Sequence, residues 1–217
     1  MKIGLLGTGM VGYSLGLKLV ELGHEVTMGS RSADNDSASA WVGEAGEGAA
    51  HSTFEVAARS GEIVINATRG VESVDALRSA GPDNVEGKLI IDVANPIVPG
   101  ASPPELAYLG EPSLAERIQA EFPEAQVVKA LNTVHAKVMV DPARLDEPTT
   151  LFICGNDAEA KGTVRELLGS FGWEEEAIID LGAVDAARAT EGYLALWLRT
   201  MSVVGNPFFN LRIVREG

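Results

Sequence analysis

Apolar residues along this chain come in two rhythms. Short unbroken runs have strand length: Lys2 to Leu6, Val26 to Met28, Glu62 to Ala67, Lys88 to Val93, Gln126 to Leu131, Thr149 to Cys154 and Ile178 to Leu181. Between them the apolar positions recur every three or four residues, as on one face of a helix: Val11, Leu15, Leu19 and Leu22, then Leu114, Ile118 and Phe122. Ser113 with Glu116 makes a capping box, and Asp157 is placed to cap a helix running to about Ser170. Ser52 is expected to cap a helix holding Phe54, Val56 and Ala57, with Glu55 completing its box. Val71 to Ser79 reads as helix and Ala40 to Val42 as helix-like, while the glycine-rich run Gly43 to Ala50 reads as a surface loop. Pro96, Pro99, Pro103 and Pro104 keep their segment extended and irregular. Strands alternating with amphipathic helices predict an α/β fold with a doubly wound, mostly parallel sheet.

The last stretch, Ala183 to Val204, breaks that rhythm. Leu194, Trp197, Leu198 and Met201 form a bulky helical stripe that needs a partner surface, and Phe208 and Phe209 after it are expected to tuck back onto the body. Arg188 and Glu191, three apart, are placed to pair on that helix's own surface. Residues 1–182 therefore read as the sheet domain and 183–217 as a small C-terminal helical extension, covering a site or forming a dimer contact.

The opening run carries the chemistry. Gly7, Gly9 and Gly12 follow the first strand in G-x-G-x-x-G spacing, with a helix and a second strand close behind. The first glycine turns the chain, the second admits a pyrophosphate close to the backbone and the third lets helix and strand pack. With the N–H groups of the helix start, this is the dinucleotide site of a Rossmann fold. The second strand's end then chooses the nucleotide. Where an NAD site places an acid, this chain has Gly29-Ser30-Arg31-Ser32, and hydroxyls with a guanidinium suit the 2′-phosphate of NADP. Ligands of such sheets gather at the strand carboxyl ends, which makes Thr8, Ser30, Thr68, Asn95 and Asn132 the residues to weigh.

Composition mainly excludes. A formal charge of −14 without a basic stripe speaks against nucleic acid. A single cysteine, Cys154, excludes an intrachain disulfide and sits in an apolar run where a buried thiol is the default. No uncharged apolar span has bilayer length, and Met1 leads straight into the first strand, so a cytoplasmic protein without membrane or secretory signal is expected. Three scattered histidines and that cysteine make neither a metal site nor a nucleophile–base pair, so no catalytic residue and no metal ligand are assigned.

The segments GLLGTGMVGYSLGLKLVELGHEVTMGSR, NPIVP and KALNT, with the late Arg188-x-x-Glu191, resemble the F420-dependent NADP oxidoreductase family over most of the chain. The same module is similar to the cytoplasmic domain of the STEAP metalloreductases, whose transmembrane haem domain is not expected here. The resemblance implies NADP(H) facing a deazaflavin, coenzyme F420, or a flavin as co-substrate, with direct hydride transfer between the rings. It implies that Gly7, Thr8, Gly9, Met10, Val11 and Gly12 meet the pyrophosphate and ribose, and that Ser30, Arg31 and Ser32 hold the 2′-phosphate. Thr68 would flank the adenine side and ribose, while Asn95, Pro96, Ala130 and Asn132 would line the nicotinamide pocket; Arg69, next to Thr68, is counted with the cofactor-binding residues. Two departures stand out. Some members carry an apolar residue and proline where this chain has Arg69-Gly70, and some carry histidine at Asn132.

Two other readings remain open: an NADPH-dependent reductase of a small imine or carbonyl substrate, and a non-catalytic NADP(H)-sensing protein. The partners expected are small molecules and a second copy of the chain in a homodimer.

Overall fold

The computed structural model describes residues 1–101, 104–108 and 112–216; Pro103, expected in extended chain, lies outside them. Eight strands form one sheet: β1 (Lys2–Leu6), β2 (Glu25–Ser30), β3 (Ala49–Thr53), β4 (Ile63–Asn66), β5 (Leu89–Asp92), β6 (Gln126–Ala130), β7 (Leu151–Gly155) and β8 (Ile178–Asp180). Their order is β3-β2-β1-β4-β5-β6-β7-β8. β1 to β6 run parallel, β7 lies antiparallel to β6, and β8 parallels β7. Strand order reverses between β1 and β4, and the crevice outside that point is where such sheets bind ligands.

The helices are α1 (Met10–Glu21), α2 (Asp36–Ala45), α3 (Phe54–Ser60), α4 (Ser73–Ala80), α5 (Leu114–Glu121), α6 (Ala136–Met139), α7 (Ala158–Ser170) and α8 (Ala187–Val204). They cover both faces of the sheet because successive strand residues point to opposite sides. Ile3 and Leu5 join one core with Leu15, Leu19 and Trp41, while Leu6 joins the other with Phe54, Leu77 and Ile118. Gly4 lets α3 lie against β1: a Cβ there would stand 2.4 Å from the Ala57 carbonyl oxygen. No helix among the described residues is long and apolar enough to cross a membrane.

Three local expectations are corrected. The buried face of α1 is Gly12, Leu15, Gly16 and Leu19; Leu22 caps the helix at 37% exposure, and Val11 is half-buried. The small residues win because Trp41 of α2 fills their place, its ring 2.8 Å from where a Gly16 Cβ would be. The stretch read as a loop holds the end of α2 and the edge strand β3, which pairs with β2 from Val26↔Ala49 to Ser30↔Thr53. Pairing with a neighbour makes AAHST a strand; its own composition does not. Consequently Ser52 is in that strand, and Thr53 caps α3 by accepting from Val56 N at 3.4 Å. The Ser113–Glu116 box and the Asp157 cap are present as expected.

Candidate functional site

The glycine turn is built by backbone constraint. Gly7 holds φ +116°, and a Cβ on it would lie 2.4 Å from the Ala67 carbonyl oxygen, so β1 and β4 meet there with no side chain between. A Cβ on Gly12 would lie 2.2 Å from the Gly7 carbonyl oxygen, which brings α1 down onto the turn. Gly9 has nothing near it: no heavy atom stands within 4 Å of its would-be Cβ. Gly9 also caps α1 without a side-chain hydrogen bond, leaving the helix's first N–H groups to a ligand. Thr8 is half-buried beside it and Met10 is 60% exposed.

At the end of β2 the three polar residues divide their tasks. Ser30 is buried and its hydroxyl donates to the Ser32 carbonyl, closing the turn. Ser32 Oγ accepts from Asp34 N at 3.2 Å. Arg31 is exposed and makes no ion pair with Asp34 or Asp36, so its guanidinium is available to an anion.

Across the switch point lies a cavity of about 570 Å³ at the strand ends. Met10, Val11, Thr68, Arg69 and Asn95 line it, joined by Val134, His135, Met139 and Trp197. The 2′-phosphate group Ser30, Arg31 and Ser32 lies outside that lining, as do Pro96, Ala130 and Asn132. Ala130 is fully buried in β6, and Pro96 borders a separate, smaller recess with Arg188 and Glu191. Asn132 is 3% exposed and acts from behind: its Nδ2 donates to Asn95 Oδ1 at 3.0 Å, and Asn95 Nδ2 returns a bond to the Asn132 carbonyl at 2.7 Å. Asn132 thus orients Asn95, the member of the pair that lines the cavity. Leu131, just before it, is the non-glycine residue with positive φ among the described residues, at 63°.

Beneath the cavity floor sits a cluster that the linear reading did not single out. Lys129 of β6 is fully buried between Asp92 of β5, at 2.9 Å, and Glu191 of α8, at 2.9 Å. Its ammonium also donates to the Ala94 carbonyl at 2.5 Å. Burial alone would push the lysine pKa down, but the two carboxylates outweigh it and hold the pKa above its ordinary value. Asp92 Oδ1 accepts from Ala94 N at 3.2 Å and from Asn66 Nδ2 at 2.8 Å, and Asn66 Oδ1 accepts from the Thr68 hydroxyl at 2.7 Å. Charge in the core therefore fixes Ala94 and Thr68, both on the cavity wall.

Glu191 corrects the expected surface pair. Its carboxylate turns inward to Lys129 and accepts from Leu114 N at 2.9 Å and Ala115 N at 3.2 Å, capping α5. Arg188 instead grips Glu116 with two bonds, at 2.8 and 2.6 Å. A buried cation outcompetes a solvated neighbour three residues away. The charge of Lys129 inside QVVKAL and of Asp92 inside KLIIDV was the available signal, because buried charges come in pairs.

The C-terminal residues reach the cavity as well. Trp197 lines it, stacked on Phe209 with ring centroids 5.3 Å apart, and its Nε1 is buried without a partner among the described residues. Phe208 packs edge-on against His135 at 4.9 Å. His135 caps α6 through Nδ1, which accepts from Lys137 N at 3.2 Å, and burial lowers its pKa with help from Lys137 and Arg144. The imidazole at the cavity wall is therefore biased to its neutral form. Cys154 is buried and its thiol is pushed up to about 12, mainly by burial.

Residues 2–96 match the family described as NADP oxidoreductase, coenzyme F420-dependent. A candidate F420-dependent NADP-reductase from Arthrobacter sp. FB24 has a crystal structure that superposes with a TM-score of 0.93 at 42% identity, over 99% of this chain and 100% of its own. The F420-dependent NADP reductase of Methanocaldococcus jannaschii is 28% identical over 90% of each chain. Rat metalloreductase STEAP3 is 33% identical over 88% of this chain, which spans 36% of the rat protein's length.

Proposed function

This chain belongs to the F420-dependent NADP oxidoreductase family, and on that premise we propose that it passes hydride between NADPH and a deazaflavin such as F420, or a flavin. The observation that carries the reading is the pairing of two features at the carboxyl ends of the strands, which meet at Met10 and Val11. One is a bare glycine turn with Arg31, which has no ion pair among the described residues, beyond it; the other is a mostly apolar cavity.

The residues present fit the dinucleotide. Space over Gly9 and the uncapped start of α1 accept a pyrophosphate, and Arg31, exposed and without an ion pair among the described residues, suits a 2′-phosphate. Bound NADPH supplies the hydride. The protein's own part is to hold two rings in register and keep water away, which contributes most when the reacting carbons stand ~3–3.5 Å apart. Val93, Val134, Met139 and Trp197 provide the dry walls, and Asn95, braced by Asn132, presents a side-chain amide among them. The titratable groups on the described wall are Arg69 and His135, and direct hydride transfer asks neither to move a proton.

The test is NADPH oxidation followed at 340 nm with F420, FMN and FAD. Rapid turnover with F420 is the expected result, and turnover with flavins alone moves the assignment to a flavin reductase. Tight NADPH binding with no oxidation by any ring would defeat the reading in favour of a sensor. The proposal includes a homodimer, supported by exposed Leu196, Val203, Val204 and Val214 on α8 and the tail. A monomer in sedimentation at micromolar concentration would remove that part.

A further inference from the structure

The cavity's charge does not match the protein's. The chain has 31 Asp and Glu against 17 Lys and Arg, yet no described residue lining the cavity is a carboxylate. Among the described residues of that wall, Arg69 is the one strong cation. In a strongly acidic protein this makes the cavity mouth a local exception, tolerant of negative charge.

The backbone of Arg69 is pinned while its side chain is left loose. Its carbonyl accepts from Glu72 N at 2.7 Å and from Ser73 Oγ at 3.3 Å. Gly70 presses the segment onto the neighbouring loop, where a Cβ would fall 2.3 Å from the Asn95 carbonyl oxygen. The Arg69 side chain is 72% exposed, and its ion pair with Glu72 is long, 3.8 Å, with a glutamate that is itself 45% exposed. Such a pair contributes little and gives way readily to a better anion. A guanidinium on a fixed base, at the rim of an apolar cavity, is built to take a phosphate by two parallel bonds.

Which phosphate follows from the other anion sites. The 2′-phosphate has Arg31, outside this cavity, and the pyrophosphate has the start of α1. Arg69 itself lines the cavity, and Gly70 beside it packs on Asn95 and Pro96, residues expected at the nicotinamide pocket that an acceptor ring would face. We propose that Arg69 is a specificity-determining residue that selects an acceptor whose tail bears a phosphate over the same ring without one. The inference rests on the hydride-acceptor reading above and names the substrate class within it.

The experiment uses pairs that differ only in that group: FMN with riboflavin, and F420 with its phosphate-free riboside. Dissociation constants are measured by ring fluorescence on the wild type and Arg69→Gln, with NADP+ saturating. The wild type is expected to bind the phosphorylated member about three- to tenfold tighter, the range of a partly exposed charge-assisted pair. Arg69→Gln should erase that preference, Arg69→Lys should keep part of it, and any loss for NADPH should be smaller than the loss for the phosphorylated ring. No preference in the wild type, or one that survives in Arg69→Gln, overturns the proposal. So does a loss of NADPH affinity equal to the loss for FMN, which would put Arg69 on the dinucleotide. NADPH turnover without phosphate preference would remove this inference alone, whereas absence of turnover with every ring would remove the function beneath it.

Discussion

Where the sheet receives its ligand, the β1–β2 side and the β5–β6 side are made of different materials. On the first, consecutive backbone does the shaping: Gly7 turns at φ +116°, Gly12 closes on it, and Gly9 leaves open space. On the second, three charged side chains from distant segments, Asp92, Lys129 and Glu191, sit buried under the floor and hold Ala94 in place. A glycine turn can form as soon as its own residues meet. The charged floor gains nothing until β5, β6 and α8 have all arrived, and a partly assembled version is costly because it strands a charge away from water.

The sharpest way to break that contrast is Lys129→Met, which keeps the volume and leaves two carboxylates facing each other. Removing one partner of a buried set is expected to cost about 3–5 kcal/mol, read as a lowered urea midpoint. Replacing all three members together, as Asp92→Asn, Lys129→Met and Glu191→Gln, should recover much of the loss. A cost of Lys129→Met below about 1 kcal/mol would show that charge does not hold the floor.

The backbone side has its own steric test, expected to be smaller. Gly16→Ala places a methyl group 2.8 Å from the ring of Trp41, which is fully buried. Overpacking of this kind costs about 1–3 kcal/mol. Gly162 in α7 is the control, since nothing stands within 4 Å of its would-be Cβ and the same change should stabilise by up to about 1 kcal/mol. Melting temperatures of the two variants should therefore move in opposite directions, and a shared direction would mean α1 and α2 are not packed as described.

The contrast also governs what could be read from the chain alone. The turn of Gly7, Gly9 and Gly12 was legible because its geometry depends on spacing within one short segment, and Arg31 follows the end of β2 as the same spacing implies. The sheet's parallel character was legible for the same reason, each strand being an apolar run between helices. β3 was not, because Ala49 to Thr53 becomes a strand only through its neighbour β2. Lys129 passed as one letter of KALNT, since its partners lie in β5 and α8 and no local pattern links them. Glu191 was assigned to the nearest opposite charge, Arg188, whereas the fold offered it a buried one. Ala130 and Asn132 do not line the cavity: Ala130 is fully buried, and Asn132 stands behind Asn95, which does.

Arg31→Ala sharpens the comparison on the ligand's side. If the loop end of the cleft reads the 2′-phosphate through that free guanidinium, NADPH should bind about tenfold more weakly and NADH within about twofold of the wild type. Titration calorimetry with both nucleotides decides it. Equal losses would mean that Arg31 supports the turn as a whole.

The smallest effect is expected where the charge-built side meets solvent. Arg188 and hydrogen bonds from Ser113 hold the Glu116 carboxyl at about 2, below the ordinary 4.5, with the Arg188 bonds the largest cause. A carboxyl with a depressed folded-state pKa contributes stability that is fully present above its unfolded value and is lost as pH falls through the folded one. The wild type should thus lose this contribution between about pH 4.5 and about pH 2. Arg188→Gln removes most of the depression, so its urea midpoint should lie below the wild type's at pH 7 and the two should converge as the buffer is taken down. Because Arg188 remains 57% exposed, the gap at pH 7 should be well short of that caused by Lys129→Met. Parallel curves across the whole range would show that the Glu116–Arg188 bonds add nothing to the hold of α8 on α5, and that the buried cluster alone fastens the helix.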